Sequence, residues 1–490
     1  MNKYLKDIFI HLDGIPMAAI YELIKSKKIG SKNASEAYTN ILNTVLKAQK
    51  INYSQIERSS YDFSGIKDYY ISAVELIQIN KINKKSHKRV IDSFGLAFNK
   101  VYSNYLEALQ KQTSSKANKD FFLKHMEGAI IAPIIIYLSY SLNKKNSQFP
   151  NNLIAKINPK ILFFLEKINI VNDGALTDKG DYIISRSHAY GVTASYMRTF
   201  AHLEDLLLNN YKNIWIEDDF GEEYHVNRAL NVWGSGKSHK NYFSKIDSYI
   251  TKIFNQPLEL QPKGIADMGC GDGSFLLHLN QIISDKTLRG KHLDDYPLLL
   301  IGADFNKAAL QETKNMFVNQ KNKPMTIQAN ISNPKKYAND VKNMYSLDIA
   351  DFLNVRSFLD HNRTFSNNTK EKQNFNYKTT NAFAWKNTPI DSNEIQSNLV
   401  NHFKQWKKYI SKHGLLALEL HFINIHEIYG NIGNIPITAY MATHGFSDQF
   451  IIEYEAYVEC INKAGLSLNL DYESLFPSTD LKMISINLIS

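Results

Sequence analysis

Three glycines at alternate positions, Gly269, Gly271 and Gly273, with Asp267 ahead of them and Asp272 between the last two, form the pattern in this chain that points most directly to a ligand. Ile265-Ala266-Asp267-Met268 reads as a buried strand running into them, and Ser274-Phe275-Leu276-Leu277-His278-Leu279 follows at helical spacing. A strand, a glycine turn and a helix start bring a nucleotide-like ligand against the backbone at the carboxyl edge of a parallel sheet. A side chain at the glycines would fill the ligand's space or forbid a positive φ. The spacing is G-x-G-x-G rather than the dinucleotide pattern, and the two carboxylates would repel a pyrophosphate. S-adenosylmethionine has no phosphate and presents a sulfonium and an amine, so it is the expected cofactor, held by Asp267, Gly269, Gly271 and Gly273. The apolar run Pro297 to Ala303 ends in Asp304, which with Phe305 beside it is placed for the ribose hydroxyls. It lies further on than the roughly 20 residues usual in such folds, because Ser284 to Asp295 reads as a polar insertion. Gln328-Ala329-Asn330-Ile331 closes a third strand, with Asn330 and Ile331 at the adenine edge. The bland alternative is a glycine turn in an α/β domain that holds no cofactor.

The elements that must position these residues follow from periodicity. From about residue 250, strands and helices alternate as in a doubly wound sheet. The expected fold is therefore α/β, a class I (Rossmann-like) S-adenosylmethionine methyltransferase core over 201–490. Residues 1–200 read as a mostly helical lid region, with helical spacing at Ser72 to Ile77 and Phe121 to Leu142. Within it, two apolar helical segments followed by Gly174-Ala175-Leu176-Thr177-Asp178-Lys179-Gly180 mark a winged-helix-like unit at about 150–190. Winged helices bind DNA or serve as packing and dimerisation units, and the lack of a basic face on the preceding helix favours the second use. Asn362 to Thr380 reads as a flexible surface loop.

The chain has 490 residues, 44% of them hydrophobic and 12% aromatic, enough for two or three domains with sizeable cores. Its 57 basic and 48 acidic residues leave a charge of +9 spread along the chain, without an arginine-rich arm, so nucleic acid is not indicated as a partner. Two cysteines, Cys270 and Cys460, allow neither a disulfide framework nor a cysteine zinc site. Asp7, His11 and Asp13 interrupt any signal pattern, and the most apolar window, Gly128 to Leu142, is too short to span a bilayer and contains Pro133. A cytoplasmic location with no membrane is the expectation.

Several further strings are uncommon: Tyr190-Gly191-Val192-Thr193-Ala194-Ser195-Tyr196, Asn231-Val232-Trp233-Gly234-Ser235-Gly236, Asp351 to Arg363, Leu418-Glu419-Leu420-His421, and Ala442 to Gln449. With Asp267 to Gly273, this set resembles the metal-dependent C-methyltransferases of polyketide loading modules, whose type members are the apratoxin and saxitoxin starter-unit enzymes. The likeness covers about residues 150 to 490; the first 150 match only in being helical and lid-like. It implies methylation of the α-carbon of a malonyl-type unit carried by phosphopantetheine on an acyl carrier protein, which is expected to arrive in trans.

Methylating carbon requires a carbanion or enolate, and a metal held by neutral ligands stabilises one as a Lewis acid. The resemblance thus implies a mononuclear iron or manganese site. His421 ends the strand Gly414 to Leu420, and His444 and Gln449 flank a glycine-containing loop; two histidines and an oxygen donor suit either metal. Gln449 equally reads as the cap of a helix beginning near Phe450. His361, after another strand, is a reserve ligand or a substrate contact, and is taken with Asn354 and Tyr196 as catalytic. Asn354 follows the fourth strand, where it would line the cavity and touch cofactor and substrate, while Arg356 reads as a partner for Asp360. Tyr196 and Arg198 are contacts for a malonyl carboxylate or part of a packed core. Trp233 and Gly234 belong to a loop closing over the methionine end of the cofactor, or to a tight turn under an indole. The competing functions are a metal-independent O- or N-methyltransferase for small molecules with a winged-helix dimerisation unit, a DNA-binding regulator with a vestigial cofactor domain, and a scaffold that docks a carrier.

Overall fold

The computed structural model describes residues 3–27, 34–112, 119–141, 154, 157–217, 223–366 and 373–490. By contact the chain forms two units, one of Met1–Ser235 with Lys386–Pro389 and Ile425–Ser447, the other of Gly236–Trp385 with Ile390–Asn424 and Asp448–Ser490. The expected boundary near residue 200 falls inside the first unit. That unit also takes back residues 425–447, which the sequence assigns to the catalytic domain.

The second unit is built on seven strands: β1 (Gly264–Met268), β2 (Leu299–Asp304), β3 (Met325–Gln328), β4 (Leu353–Ser357), β5 (Leu415–Leu420), β6 (Leu468–Pro477) and β7 (Lys482–Ile489). Their order is 3-2-1-4-5-7-6, parallel from β3 to β5, with β7 antiparallel to both of its neighbours. This is the class I, Rossmann-like sheet expected from the glycine turn. β1 and β5 are apolar but for Asp267 and Glu419, because helices cover both faces and every residue in them is buried. On one face, Trp406 and Phe403 of the helix Ser392–Ile410 and Tyr457 of the helix Tyr454–Lys463 fill the core. On the other, Phe243 to Phe254 and the helix Ser274–Lys286 pack on Ile265, Leu300 and Val355. The direction of winding reverses between β1 and β4, and that reversal opens a crevice at the carboxyl ends of the strands.

The first unit is mainly helical. The helices Leu5–Lys25 and Lys119–Ser141 cross so closely that a Cβ on Gly14 would stand 2.4 Å from the His125 carbonyl oxygen, and one on Gly128 would stand 2.3 Å from that of His11. Asp13, on the first of these helices, accepts the Ala439 N–H at 2.8 Å, and Gln49 donates to the Thr438 hydroxyl. These bonds draw the segment 425–447 into the unit. The winged-helix signal resolves into the helix Lys160–Lys167, the hairpin Val171–Asn172 with Ala175–Leu176, and the helix Asp178–Ser185. Thr177 caps the last helix by accepting the Gly180 N–H, and Gly180 is required because a Cβ there would meet the Ile170 carbonyl at 2.1 Å. Parts of this expected unit (150–153, 155 and 156), of the apolar window (142) and of the expected surface loop (367–372) lie outside the described residues. Gly128 to Tyr140 of that window fall in the stretch Phe121–Tyr140, which is long and apolar enough to cross a bilayer; 78% of its most apolar part is buried in the protein, as in a core helix.

Candidate functional site

The glycine turn leaves β1 with Gly269, Gly271 and Gly273 at φ of 84°, 55° and 78°, a region side chains avoid. Each glycine has its own reason. A Cβ on Gly269 would lie 2.8 Å from Leu359, one on Gly273 would lie 3.0 Å from Thr313, and one on Gly271 would meet nothing within 4 Å. Gly271 therefore borders open space where a ligand can approach the backbone. Its N–H donates to Asp304 Oδ2 at 3.0 Å, and Asp304 Oδ1 accepts the Asn306 N–H at 2.8 Å, so the carboxylate expected at the ribose stands beside the turn.

Asp267 is 1% exposed, and neither of its oxygens has a hydrogen-bond partner among the described residues. Burial, reinforced by the charges of Asp304 and Asp272, pushes its carboxyl well above the usual carboxylate range. The carboxylates Asp272 and Asp304, with a buried carboxyl that a nearby cation would help to ionise, make a place for a cation and a poor place for a phosphate. Phe305, exposed beside Asp304, lines one groove with Gln328, Asn330 and Tyr337, and Ile331 is anchored there by the Trp406 indole N–H on its carbonyl. The cofactor residues read at 267–273, 304–305 and 330–331 thus come together along the carboxyl edges of β1, β2 and β3.

Trp233 and Gly234 are not in a loop; they lie inside the helix Arg228–Phe254. Their glycine serves packing, since a Cβ on Gly234 would come within 2.7 Å of the Val192 nitrogen and one on Gly191 within 2.7 Å of the Gly234 Cα. Further along the same helix, a Cβ on Gly236 would stand 3.0 Å from Asp272 Oδ2, so the helix does pass the cofactor turn. Asn354 is also corrected. Its amide donates to the carbonyls of Ile349, Phe352 and Tyr409, which ties down the start of β4, away from the crevice. Tyr196 is 2% exposed in the first unit.

After β4 the chain turns through Phe358, whose φ of 55° is rare for so bulky a residue. The short 3-10 turn Asp360–Asn362 follows and presents His361. His361 Nδ1 stands 2.6 Å from Oε1 of Glu419 on β5, and both residues are at most 5% exposed. Oε1 also accepts the Leu420 N–H, and Oε2 accepts the Asp360 N–H, both at 2.7 Å. A carboxylate in that role accepts, so His361 donates from Nδ1, and the Asn362 amide nitrogen stands 3.5 Å from Nε2. Leu359, which touches Gly269, sets this loop against the cofactor turn. The sequence shows Glu419 only within the string Leu418 to His421 and assigns it no role; its signal is a lone acid inside an otherwise apolar strand.

The remaining histidines are placed differently. His421 is fully buried, its Nε2 lies 2.7 Å from the Ser485 hydroxyl, and burial lowers its pKa to about 3. His444 belongs to the first unit, where its Nδ1 stands 2.7 Å from the Tyr440 carbonyl oxygen in the helix Ile437–Gly445. Gln449 caps no helix at Phe450, because the next helix starts at Tyr454. Among the described residues no three His, Cys, Asp or Glu side chains converge as a metal donor set. The implied iron or manganese therefore finds no three-residue donor set of those types among the described residues. Arg356 is the partner of Asp360 that the sequence suggested.

Two family models match the chain, the AprA MT2-like domain over residues 223–487 and the AprA winged helix domain over residues 127–210. No curated protein matches it. Among solved structures it is similar to the mitomycin 7-O-methyltransferase MmcR, with 10% identity, a TM-score of 0.36, and coverage of 74% of this chain and 92% of that one. It is also similar to LepI in complex with SAH and a substrate analogue, with 11% identity, a TM-score of 0.38, and coverage of 86% and 98%. The methyltransferase SibL in its apo form gives 11% identity and a TM-score of 0.38, over 74% and 94%.

Proposed function

This chain belongs to the AprA MT2-like family of methyltransferases, and we propose that it transfers a methyl group from S-adenosylmethionine to the α-carbon of a malonyl-type acyl group, with His361 as the base. The observation that carries the reading is the His361–Glu419 pair at the end of β4, set against the cofactor turn through Leu359. The cofactor, when bound, supplies the methyl group on a cationic sulfur. Asp272 and Asp304 offer the negative charge that its ammonium and sulfonium need, and Asp267, ionised by that cation, gains in the bound state the partner it lacks among the described residues.

His361 Nε2 takes the acidic α-proton, and Glu419 stabilises the imidazolium that forms. The carbanion's electron pair makes the new bond to the methyl carbon as the sulfur–carbon bond breaks, leaving a neutral thioether. The imidazolium then returns its proton to solvent. An acyl carrier protein bearing the substrate on phosphopantetheine is the partner proposed, in natural-product assembly. The same base would deprotonate a hydroxyl, so the atom that receives the methyl group is the point to test.

The test is incubation with malonyl-pantetheine or malonyl-carrier and trideuteromethyl-labelled S-adenosylmethionine, followed by tandem mass spectrometry. The expected product carries the label on carbon, and the His361→Asn variant yields none. Label found only on oxygen or nitrogen of alternative small-molecule acceptors would overturn carbon as the target. Full transfer by His361→Asn would overturn the base.

A further inference from the structure

We infer that Asp360 is a positioning residue for the His361–Glu419 pair, held for that purpose by Arg356, His402 and Tyr457. The inference rests on the reading of His361 as the base. Asp360 and His361 are consecutive in one turn, yet they bind different oxygens of the same carboxylate: the Asp360 N–H reaches Glu419 Oε2 and the His361 ring reaches Oε1. The orientation of Glu419, and with it the tautomer and aim of the imidazole, depends on where the Asp360 backbone sits.

That backbone is fixed through the side chain. Asp360 Oδ1 accepts from Arg356 and from His402 Nε2, the latter at 3.0 Å, and Oδ2 accepts the Tyr457 hydroxyl at 3.1 Å. Its carbonyl accepts Arg363 Nη1 at 3.1 Å, so every polar atom of Asp360 is engaged. The Arg356 guanidinium lies over the Trp406 ring, 4.0 Å from its centre, which removes its freedom to swing away. All six residues are at most 5% exposed. Burial alone would raise the Asp360 carboxyl, but Arg356 and His402 more than offset it and keep it below the usual carboxylate range. Burial lowers His402 to about 4, so at neutral pH it is a neutral donor to Asp360. An ion cluster at this depth adds little net stability over well-packed apolar residues. What it contributes is a fixed geometry, in the way outer partners hold a catalytic histidine in one tautomer.

The experiment uses the full chain and the variants Asp360→Asn and Tyr457→Phe, with His361→Asn as control. The His361 tautomer is read from ring carbon shifts in histidine-labelled protein, the signal being assigned by its loss in His361→Asn; this needs no substrate. Turnover on malonyl-pantetheine and the dissociation constant for S-adenosylmethionine are read alongside. The native chain should show one tautomer, with the proton on Nδ1. Asp360→Asn should show a mixture and lose about tenfold in kcat, with cofactor affinity changed less than about twofold. Tyr457→Phe leaves both nitrogen donors on Asp360 and should lose about threefold; it decides the matter if Asp360→Asn does not fold. A single native tautomer and native kcat in a folded Asp360→Asn, or in Tyr457→Phe where that variant decides, would overturn the inference. If His361→Asn keeps full turnover, the base reading fails instead, and the tautomer still reports whether Asp360 positions the ring.

Discussion

Changing Glu419 to glutamine keeps the length and shape of the side chain and removes its charge. Three donors converge on the native carboxylate: His361 Nδ1, the Leu420 N–H and the Asp360 N–H. A glutamine has one oxygen to offer them. If that oxygen stays on His361 and Leu420, the amide N–H₂ meets the Asp360 N–H head-on; if it turns to Asp360, His361 must move its proton to Nε2 and is no longer a base. In either arrangement the imidazolium formed during proton abstraction has lost its counter-charge. Two unit charges about 4 Å apart at an effective dielectric of about 20 interact by about 4 kcal/mol. Nearly all of that acts after the proton begins to move, so it raises the barrier rather than weakening substrate binding. About 4 kcal/mol corresponds to a fall in kcat of about a thousandfold. The assay follows S-adenosylhomocysteine formation by mass spectrometry under saturating substrates, with cofactor affinity measured by calorimetry. A folded Glu419→Gln chain whose kcat stays within about threefold of native, at unchanged cofactor affinity, would refute the reasoning.

Asp267→Asn should separate stability from binding: relief of a buried, unpartnered carboxyl raises the unfolding midpoint at pH 7, while affinity for S-adenosylmethionine falls at least about tenfold, as calorimetry would show. Asp13, buried in the first unit, is raised by burial from 3.8 to about 8. Below about pH 4 it is protonated both folded and unfolded; between about 4 and about 8 only the unfolded chain releases the proton, so stability falls as pH rises through that window. Asp13→Asn should flatten this dependence by up to about 1.4 kcal/mol per pH unit, measured as urea midpoints from pH 4 to 8. Gly128→Ala places a methyl group against the His11 carbonyl and should cost about 2 kcal/mol or more in thermal or urea unfolding.

What was legible in the sequence is what local pattern encodes. The turn at Gly269 to Gly273 and the carboxylate Asp304 show themselves because apolar runs stop at residues that only a tight turn or a ligand requires, and His361 shows itself by following a strand. Trp233-Gly234-Ser235-Gly236 misled, since glycine spacing for a turn and glycine spacing for a close helix crossing look alike; only Gly191 on the opposing helix distinguishes them. His421 and Asn354 sit at strand ends, as site residues do, but strand position does not say which face a side chain takes, and Ser485 and three backbone carbonyls claim them. Glu419 was hidden because its purpose depends on a residue 58 positions earlier. The return of residues 425–447 to the first unit rests on partners such as Asp13 and Gln49, and no periodicity near Ala439 records them.

That returning segment sets an order on the birth of the molecule. Ala439 and Thr438, which bind Asp13 and Gln49, are translated more than four hundred residues after Asp13 itself, so the helical unit cannot close around them until the ribosome has read through Ser447. By then β1 to β5 have already emerged. The N-terminal helices must wait with open apolar faces while the sheet assembles, a long loop closure that slows folding and leaves them in need of protection from aggregation. A gene cut at residue 235 would keep the second unit whole and strip the first of residues 386–389 and 425–447. The two halves are inherited, expressed and inactivated together.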